Sequence, residues 1–377
     1  MTEKEKTALN TLAPTSERQS PNNNNIITPS SENCNTDYDL YRKMMRQTLD
    51  PSYLSTISMP ELYENIYDSK PPVIEGLLYV GTYLFVGAPK VGKSFFMLQL
   101  AYHVSTGTPL WEYPVRKGSV LYLALEDNYH RLQERLYRMF GTDCAPDLHF
   151  SVSSRQLGKG LNEQLQGFVS EHPDTNLIII DTLQKVREMS SEGYSYGTDY
   201  DIITQLKQFA DAHKICLLLV HHTRKQKSED TFDMISGTNG LLGAADGAFI
   251  LYKEKRTSNK AFLEISGRDQ QDQRITLVRN EASLSWDFEA AETELWKSPP
   301  DPVLETVAKF MTEERPEWSG TATELVELLG VDMKPNVLTT KLNVTAGRLL
   351  NEYGIVYETT RTHNGRCVIL KRKRDDA

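Results

Sequence analysis

The stretch GAPKVGKS, Gly87 to Ser94, follows the apolar run Tyr83 to Val86 and precedes FFMLQLAYHV, a run of helical character. Its spacing, G-x-x-x-x-G-K-S between a strand and a helix, is that of a loop that holds phosphate. The glycines let backbone N–H groups close around phosphoryl oxygens, and the start of the following helix adds its partial positive charge. Lys93 is expected to reach the β- and γ-phosphates of a nucleotide, and the Ser94 hydroxyl to ligate Mg²⁺. The expected contact surface for ATP is Gly87, Ala88, Pro89, Lys90, Val91, Gly92, Lys93, Ser94 and Phe95.

Outward from this loop, residues 71 to 295 alternate apolar runs with longer helical stretches, the pattern of an α/β domain with a parallel sheet. Strands are predicted at Tyr83 to Val86, Val120 to Leu125, Leu177 to Asp181 and Ile215 to His221. The clearest helix between them is Asp127 to Phe140, with Asp127 as its cap and Gly141 as its stop. After Gly237 the texture changes to short alternating runs at Ala248 to Tyr252, Ala261 to Ser266, Arg274 to Val278 and Leu284 to Phe288, which predict an antiparallel extension of the sheet. Pro299-Pro300 marks a linker.

Residues 301 to 377 predict helices at Val303 to Met311, Thr323 to Leu329 and Val337 to Tyr353, then strands Ile355 to Thr362 and Arg366 to Arg372 around the turn His363-Asn364-Gly365. That is the order of a winged helix, a shape that also serves as a protein contact. Arg361, Arg366 and the run KRKR, Lys371 to Arg374, give it a basic wing and tail suited to duplex phosphates, with docking of a replication protein as the alternative. At the other end, residues 1 to 36 are rich in Ser, Thr, Asn and Pro and lack apolar periodicity, so a disordered tail is expected. Residues 37 to 70 read as helical: Leu40, Met44, Met45 and Leu49 share a spacing, and Ser58 opens a second short helix. This segment either packs on a neighbouring subunit or caps its own core.

At 377 residues more than one domain is expected, and 39% hydrophobic with 25% charged residues is ordinary globular usage. A formal net charge of -9 leaves nucleic-acid contact to local basic loops or a tail. Cys34, Cys144, Cys216 and Cys367 form no C-x-x-C pair, so neither a zinc site nor a disulfide framework is signalled and a reduced, cytoplasmic setting fits. The opening residues MTEKEKTALN lack a signal core, and the longest apolar runs are strand-length, so no membrane association is expected.

Two further strand ends carry carboxylates. NLIIIDTLQ places Asp181 where a Walker B carboxylate meets the Mg²⁺ shell opposite Ser94. VLYLALEDN places Glu126 and Asp127 at the crevice formed by the strands' carboxyl ends. Glu126 is read as the base that orients and deprotonates the attacking water, and Asp127 as the helix cap, with the reverse division left open.

The order GAPKVGKS, LYLALEDN, LIIIDTLQKVR, LLLVHHTRK resembles the RepA-type hexameric replicative helicases of the RecA-like superfamily, which include ATPases of plasmids and other mobile elements. The resemblance covers residues 71 to 280. It implies a homohexameric ring with single-stranded DNA in its channel, Glu126 as catalytic base, Asp181 as Walker B residue and His222 as a sensor of the γ-phosphate. It also implies an arginine finger after SGTNGLLGAADGAF, where this chain has Ala248-Phe249 instead. Arg268, in LEISGRDQQ, sits at a position similar to the finger of DnaB-like helicases, with Arg256 and Arg224 as rivals. Lys185 and Arg187, and Arg224, Lys225 and Lys227, occupy the places where RecA-like proteins carry DNA-contacting loops.

Overall fold

The computed structural model describes residues 52, 54, 56–67, 70–187, 196–223, 231–235, 239–268, 270–292, 300–362 and 365–373. The N-terminal tail, the loop residues Arg224, Lys225 and Lys227, and Arg374 lie outside them.

A nine-stranded sheet forms the body, in the order β3-β2-β4-β5-β1-β6-β7-β8-β9. Its strands are β1 (Gly81–Gly87), β2 (Ser119–Ala124), β3 (Leu148–Ser151), β4 (Thr175–Asp181), β5 (Cys216–His222), β6 (Gly247–Tyr252), β7 (Lys260–Gly267), β8 (Gln270–Arg279) and β9 (Trp286–Ala291). From β3 to β6 every pairing is parallel, and from β6 to β9 every pairing is antiparallel. The four central strands β1, β2, β4 and β5 are buried nearly end to end, as expected where helices cover both faces. One prediction is corrected: the run Ala248 to Tyr252 is not part of the antiparallel extension. It pairs parallel to β1, Gly87 opposite Leu251, and hands the sheet over to antiparallel β7.

Helices α2 (Lys93–Thr106) and α3 (Tyr129–Phe140) cover one face, burying Phe96, Met97, Leu100, Leu132 and Met139 against Phe85 and Tyr122. The other face is covered by α4 (Leu161–Glu171), α5 (Leu183–Val186), α6 (Tyr196–His213) and α7 (Asn239–Ala244) over Leu84, Val86, Ile178 and Ile180. Alternate residues of β1 feed the two cores, which fixes the strand in register and aims its carboxyl end at the P-loop.

A separate hydrophobic cluster gathers α8 (Pro302–Phe310), α9 (Ala322–Leu329) and α10 (Pro335–Tyr353) against a three-stranded antiparallel sheet of order β10-β12-β11. Its strands are β10 (Glu317–Thr321), β11 (Ile355–Thr362) and β12 (Gly365–Arg372). The strand β10, EWSGT, is too short and polar to stand out in the sequence and is held by pairing with β12. Chain segment 56–67 packs on this unit. Its helix α1 (Met59–Glu64) is opened by Ser58, whose hydroxyl accepts from Glu61 N while the Glu61 carboxylate accepts from Ser58 N at 2.8 Å. The buried Asn343 amide of α10 donates to Tyr63 O at 2.9 Å and Glu64 O at 3.3 Å, Arg366 pairs with Glu64 at 3.2 Å, and Ile66 joins the apolar cluster. Residues 59–66 thus lie against this unit of their own chain, with Met59, Leu62 and Tyr63 left exposed. Among the described residues no helix is long and apolar enough to cross a membrane.

Candidate active site

The P-loop needs two left-handed residues, Lys90 at φ 66° and Gly92 at φ 112°, to turn the chain from β1 back into α2. Gly87 has no room for a side chain, since an added Cβ would lie 2.5 Å from Leu251 O of β6. No side chain caps the N-terminus of α2. Its first N–H groups are therefore left for an anion, which is the arrangement a phosphate requires.

Four strand ends then bring the predicted residues together. Lys93, from α2, is buried and donates to Gly87 O at 2.7 Å and Ala88 O at 3.2 Å, with His222 Nδ1 of β5 at 3.2 Å. Ser94 Oγ donates to Asp181 Oδ2 of β4 at 2.9 Å. The same carboxylate oxygen accepts the phenol of Tyr122, from β2, at 2.8 Å. Glu126, two residues beyond the end of β2, is exposed and accepts from Thr182 Oγ1 at 3.1 Å. The site thus presents a cation, a neutral hydroxyl, a buried carboxylate and an accessible carboxylate at one edge of the sheet.

Burial lowers the Lys93 ammonium to about 8, against the opposing pull of Asp181 and Glu126. His222 is held below its usual value, first by burial and then by the Lys93 charge. Burial raises Asp181 above the ordinary carboxylate range even though Tyr122 and Ser94 donate to it. Each shift reflects a charge taken out of water without enough counter-charge, and phosphate oxygens beside Lys93 would supply that for the ammonium. The residues also fit Mg²⁺. Among the described residues no group of three or more His, Cys, Asp or Glu side chains could hold a metal, whereas Ser94 and Asp181 stand together where a cation that draws its other ligands from water and phosphate would bind.

Residues 53–228 match the family model described as AAA domain. The match spans the P-loop, Asp181 and the strand that carries His222. Solved structures similar to the chain include one titled as an ATPase domain, at 13% identity and TM-score 0.47, covering 69% of this chain and 100% of that one. Another is titled as a DnaB-like replicative helicase and its interactions with primase, at 14% identity and TM-score 0.48, covering 69% of this chain and 67% of that one. No curated protein matches the chain.

Around the ATPase centre three readings need correction or refinement. Asp127 does not cap α3: the cap is Asn128, whose side chain accepts from Arg131 N at 3.0 Å. Asp127 instead pairs with Arg131 at 3.0 Å and with Arg135, so both its oxygens are engaged by α3 while Glu126 faces solvent. The stop at Gly141 is as predicted, with φ 66° and its N–H donated to Tyr137 O. Arg187 is not an exposed loop cation. It is 3% exposed and pairs at 2.8 Å with Asp199, itself 0% exposed, whereas Lys185 is exposed.

Arg268 follows β7 and is exposed, donating to Gly243 O at 2.9 Å. Because β7 runs antiparallel, Gly267 lies beside Gly247 and hence beside Tyr83, at the start of β1 rather than at its P-loop end. Tyr83 lies four residues before Gly87, about 13 Å at 3.3 Å per residue, and the Arg268 guanidinium is held at Gly243 O. Arg268 therefore cannot serve its own P-loop. Arg256 is exposed in the β6–β7 turn, at the P-loop end.

Trp286, which no motif signals, wedges against the P-loop. It is fully buried, its indole N–H donates to Gly92 O at 3.3 Å, and its ring fills the space that a Cβ on Gly92 would need. Its own backbone is clamped by Gln99 in both directions, at 2.9 and 2.8 Å, and by Trp111 Nε1 at 2.7 Å. Beside it Arg279 stands over the Phe95 ring at 4.1 Å and the Trp286 ring at 5.1 Å, its guanidinium lowered to about 10 by burial and by Arg138. The outer wall of the expected nucleotide surface is thus a cation–aromatic stack that spans α2, β8 and β9.

Proposed function

We propose that the chain is an ATP-driven translocase of helicase type acting on single-stranded DNA, as part of a RepA-like replication module of a plasmid or mobile element. Its ATP sites are completed between neighbouring subunits of a homo-oligomeric, hexameric ring. The observation that supports this reading is that Arg268 is exposed at the strand ends opposite the P-loop of its own subunit, which leaves a role in another subunit's site. Lys93 and the P-loop hold the phosphates, Glu126 takes the proton of the attacking water, and His222, beside Lys93, links the γ-phosphate position to the end of β5. Ser94 and Asp181 would hold Mg²⁺, which would supply counter-charge for the transferring phosphoryl group. Lys185 offers a cation at the Walker B end for the DNA backbone.

Turnover is expected to rise with single-stranded but not duplex DNA, and forked duplexes are expected to be opened in the presence of ATP. Phosphate release and strand separation measured on the same preparation test this. Stimulation without strand separation would leave an ATP-switched initiator, regulator or recombination ATPase in its place.

The trans role gives a second expectation. Arg268→Ala should leave nucleotide binding intact and lower turnover of the assembled ring by about 10³-fold. Inactive Arg268→Ala and inactive Lys93→Ala subunits, once mixed, should regain activity, because each interface can then draw an intact P-loop and an intact arginine from different chains. No recovery in rings shown by native mass to be mixed would sink the shared site.

For residues 301–377 the pairing of charges favours docking of a replication protein over duplex DNA. Lys341 is paired with Asp301 at 2.9 Å, Arg348 with Glu352 at 2.7 Å, Arg366 with Glu64 at 3.2 Å, and Lys371 lies between Glu317 at 3.5 Å and Glu358 at 4.0 Å. Phosphates would have to displace those carboxylates, while Val337 and Val344 of α10 are exposed and apolar.

A further inference from the structure

Tyr122 lies inside the sheet, 1% exposed, on the strand next to the one that ends in Asp181. Its cross-strand partner is Ile179, two residues before Asp181, so both Tyr122 and Asp181 project to the same face and stand diagonally to each other. That diagonal is within reach of a long aromatic side chain. The phenol spans it and donates to Asp181 Oδ2 at 2.8 Å, on the same oxygen that accepts from Ser94 at 2.9 Å. Phe150 of β3 packs against the Tyr122 ring, with centroids 5.8 Å apart, and limits its swing.

We infer that Tyr122 is a positioning residue for magnesium, its phenol fixing the Asp181 carboxylate in the orientation that faces Ser94. The inference rests on the reading of Ser94 and Asp181 as the metal-holding pair and adds a residue that no phosphate-loop or Walker motif contains. Mg²⁺ accepts little departure from octahedral geometry, so a carboxylate free to rotate about its terminal torsion holds it less well. Hydrogen bonds to a ligating carboxylate of this kind contribute about 10- to 100-fold to metal affinity. Tyr122 touches neither nucleotide nor water in this account and acts only through Asp181.

Tyr122→Phe removes one oxygen and keeps the ring. Binding of a fluorescent ATP analogue is followed against Mg²⁺ concentration in the full chain, and again in EDTA. The magnesium needed for half-maximal binding is expected to rise about tenfold or more. Binding in EDTA and the melting temperature should stay at wild-type values. In an Asp181→Asn background, Tyr122→Phe should produce no further rise. An unchanged magnesium requirement, an equal loss of binding in EDTA, a full additional rise in the Asp181→Asn background, or loss of the fold in Tyr122→Phe would each overturn the role. Wild-type protein that shows no magnesium-dependent binding of the analogue would instead count against the ATPase site itself, which separates failure of the inference from failure of the reading beneath it.

Discussion

Lys93→Ala abolishes ATP turnover, a loss of at least about 10²-fold, which is the effect of removing one preorganised donor aimed at developing charge. Here the donor is a full cation, so the expected result is phosphate release at background. The ammonium is held by Gly87 O and Ala88 O before any phosphate arrives, so it needs no reorganisation when the nucleotide binds. The fold should survive, because among the described residues Lys93 contributes no ion pair to the core and Ala88, the second of its two carbonyl partners, is exposed to water. Steady-state phosphate release with a melting curve on the same sample checks both halves. Wild-type turnover in a folded variant would refute the site.

The second large effect belongs to Glu126→Gln. The amide keeps the shape and can still accept from Thr182, which now reaches Glu126 at 3.1 Å, but it cannot take a proton. Nucleotide binding should be unchanged and hydrolysis should fall by about 10²- to 10⁴-fold, the usual contribution of a general base. Asp127→Asn is the control. It weakens pairs to Arg131 and Arg135 that orient α3, so it should lower the melting temperature more than the turnover per folded molecule. A dead Asp127→Asn beside an active Glu126→Gln would reverse the division of the two carboxylates.

The parallel core was legible because its signals are local. An apolar run that ends in GAPKVGKS or in Asp181 states strand, loop and helix within a dozen residues, and the four strands predicted there appear within two residues of their expected bounds, whereas the short, half-buried β3 was not predicted. What could not be read was pairing. Ala248 to Tyr252 alternates no differently from the runs after it, and only the register Gly87 opposite Leu251 makes it parallel. Arg187 looked like a loop cation because its partner Asp199 comes twelve positions later, and the burial of both is a tertiary fact. Asp127 and Asn128 are both good cap residues, so the choice between them was decided by the arginines at 131 and 135, which claim the aspartate. Tyr122 and Trp286 escaped for the same reason: an aromatic residue in a strand reads as core, and whether its polar atom meets a carboxylate or a loop carbonyl depends on a neighbouring strand.

The clamp on Trp286 also sets an order of events during synthesis. Gly92 belongs to the first quarter of the chain, yet the indole that backs it arrives 194 residues later, and Gln99 waits 187 residues for the same strand. A contact so distant along the chain forms only after the intervening loop has closed, which makes it a late step of folding. A ribosome-bound chain that has emerged only as far as β5 already displays GAPKVGKS and Asp181, but it lacks the wall against which the phosphate loop is braced. The nucleotide cradle is thus finished only when the ninth strand has emerged and docked.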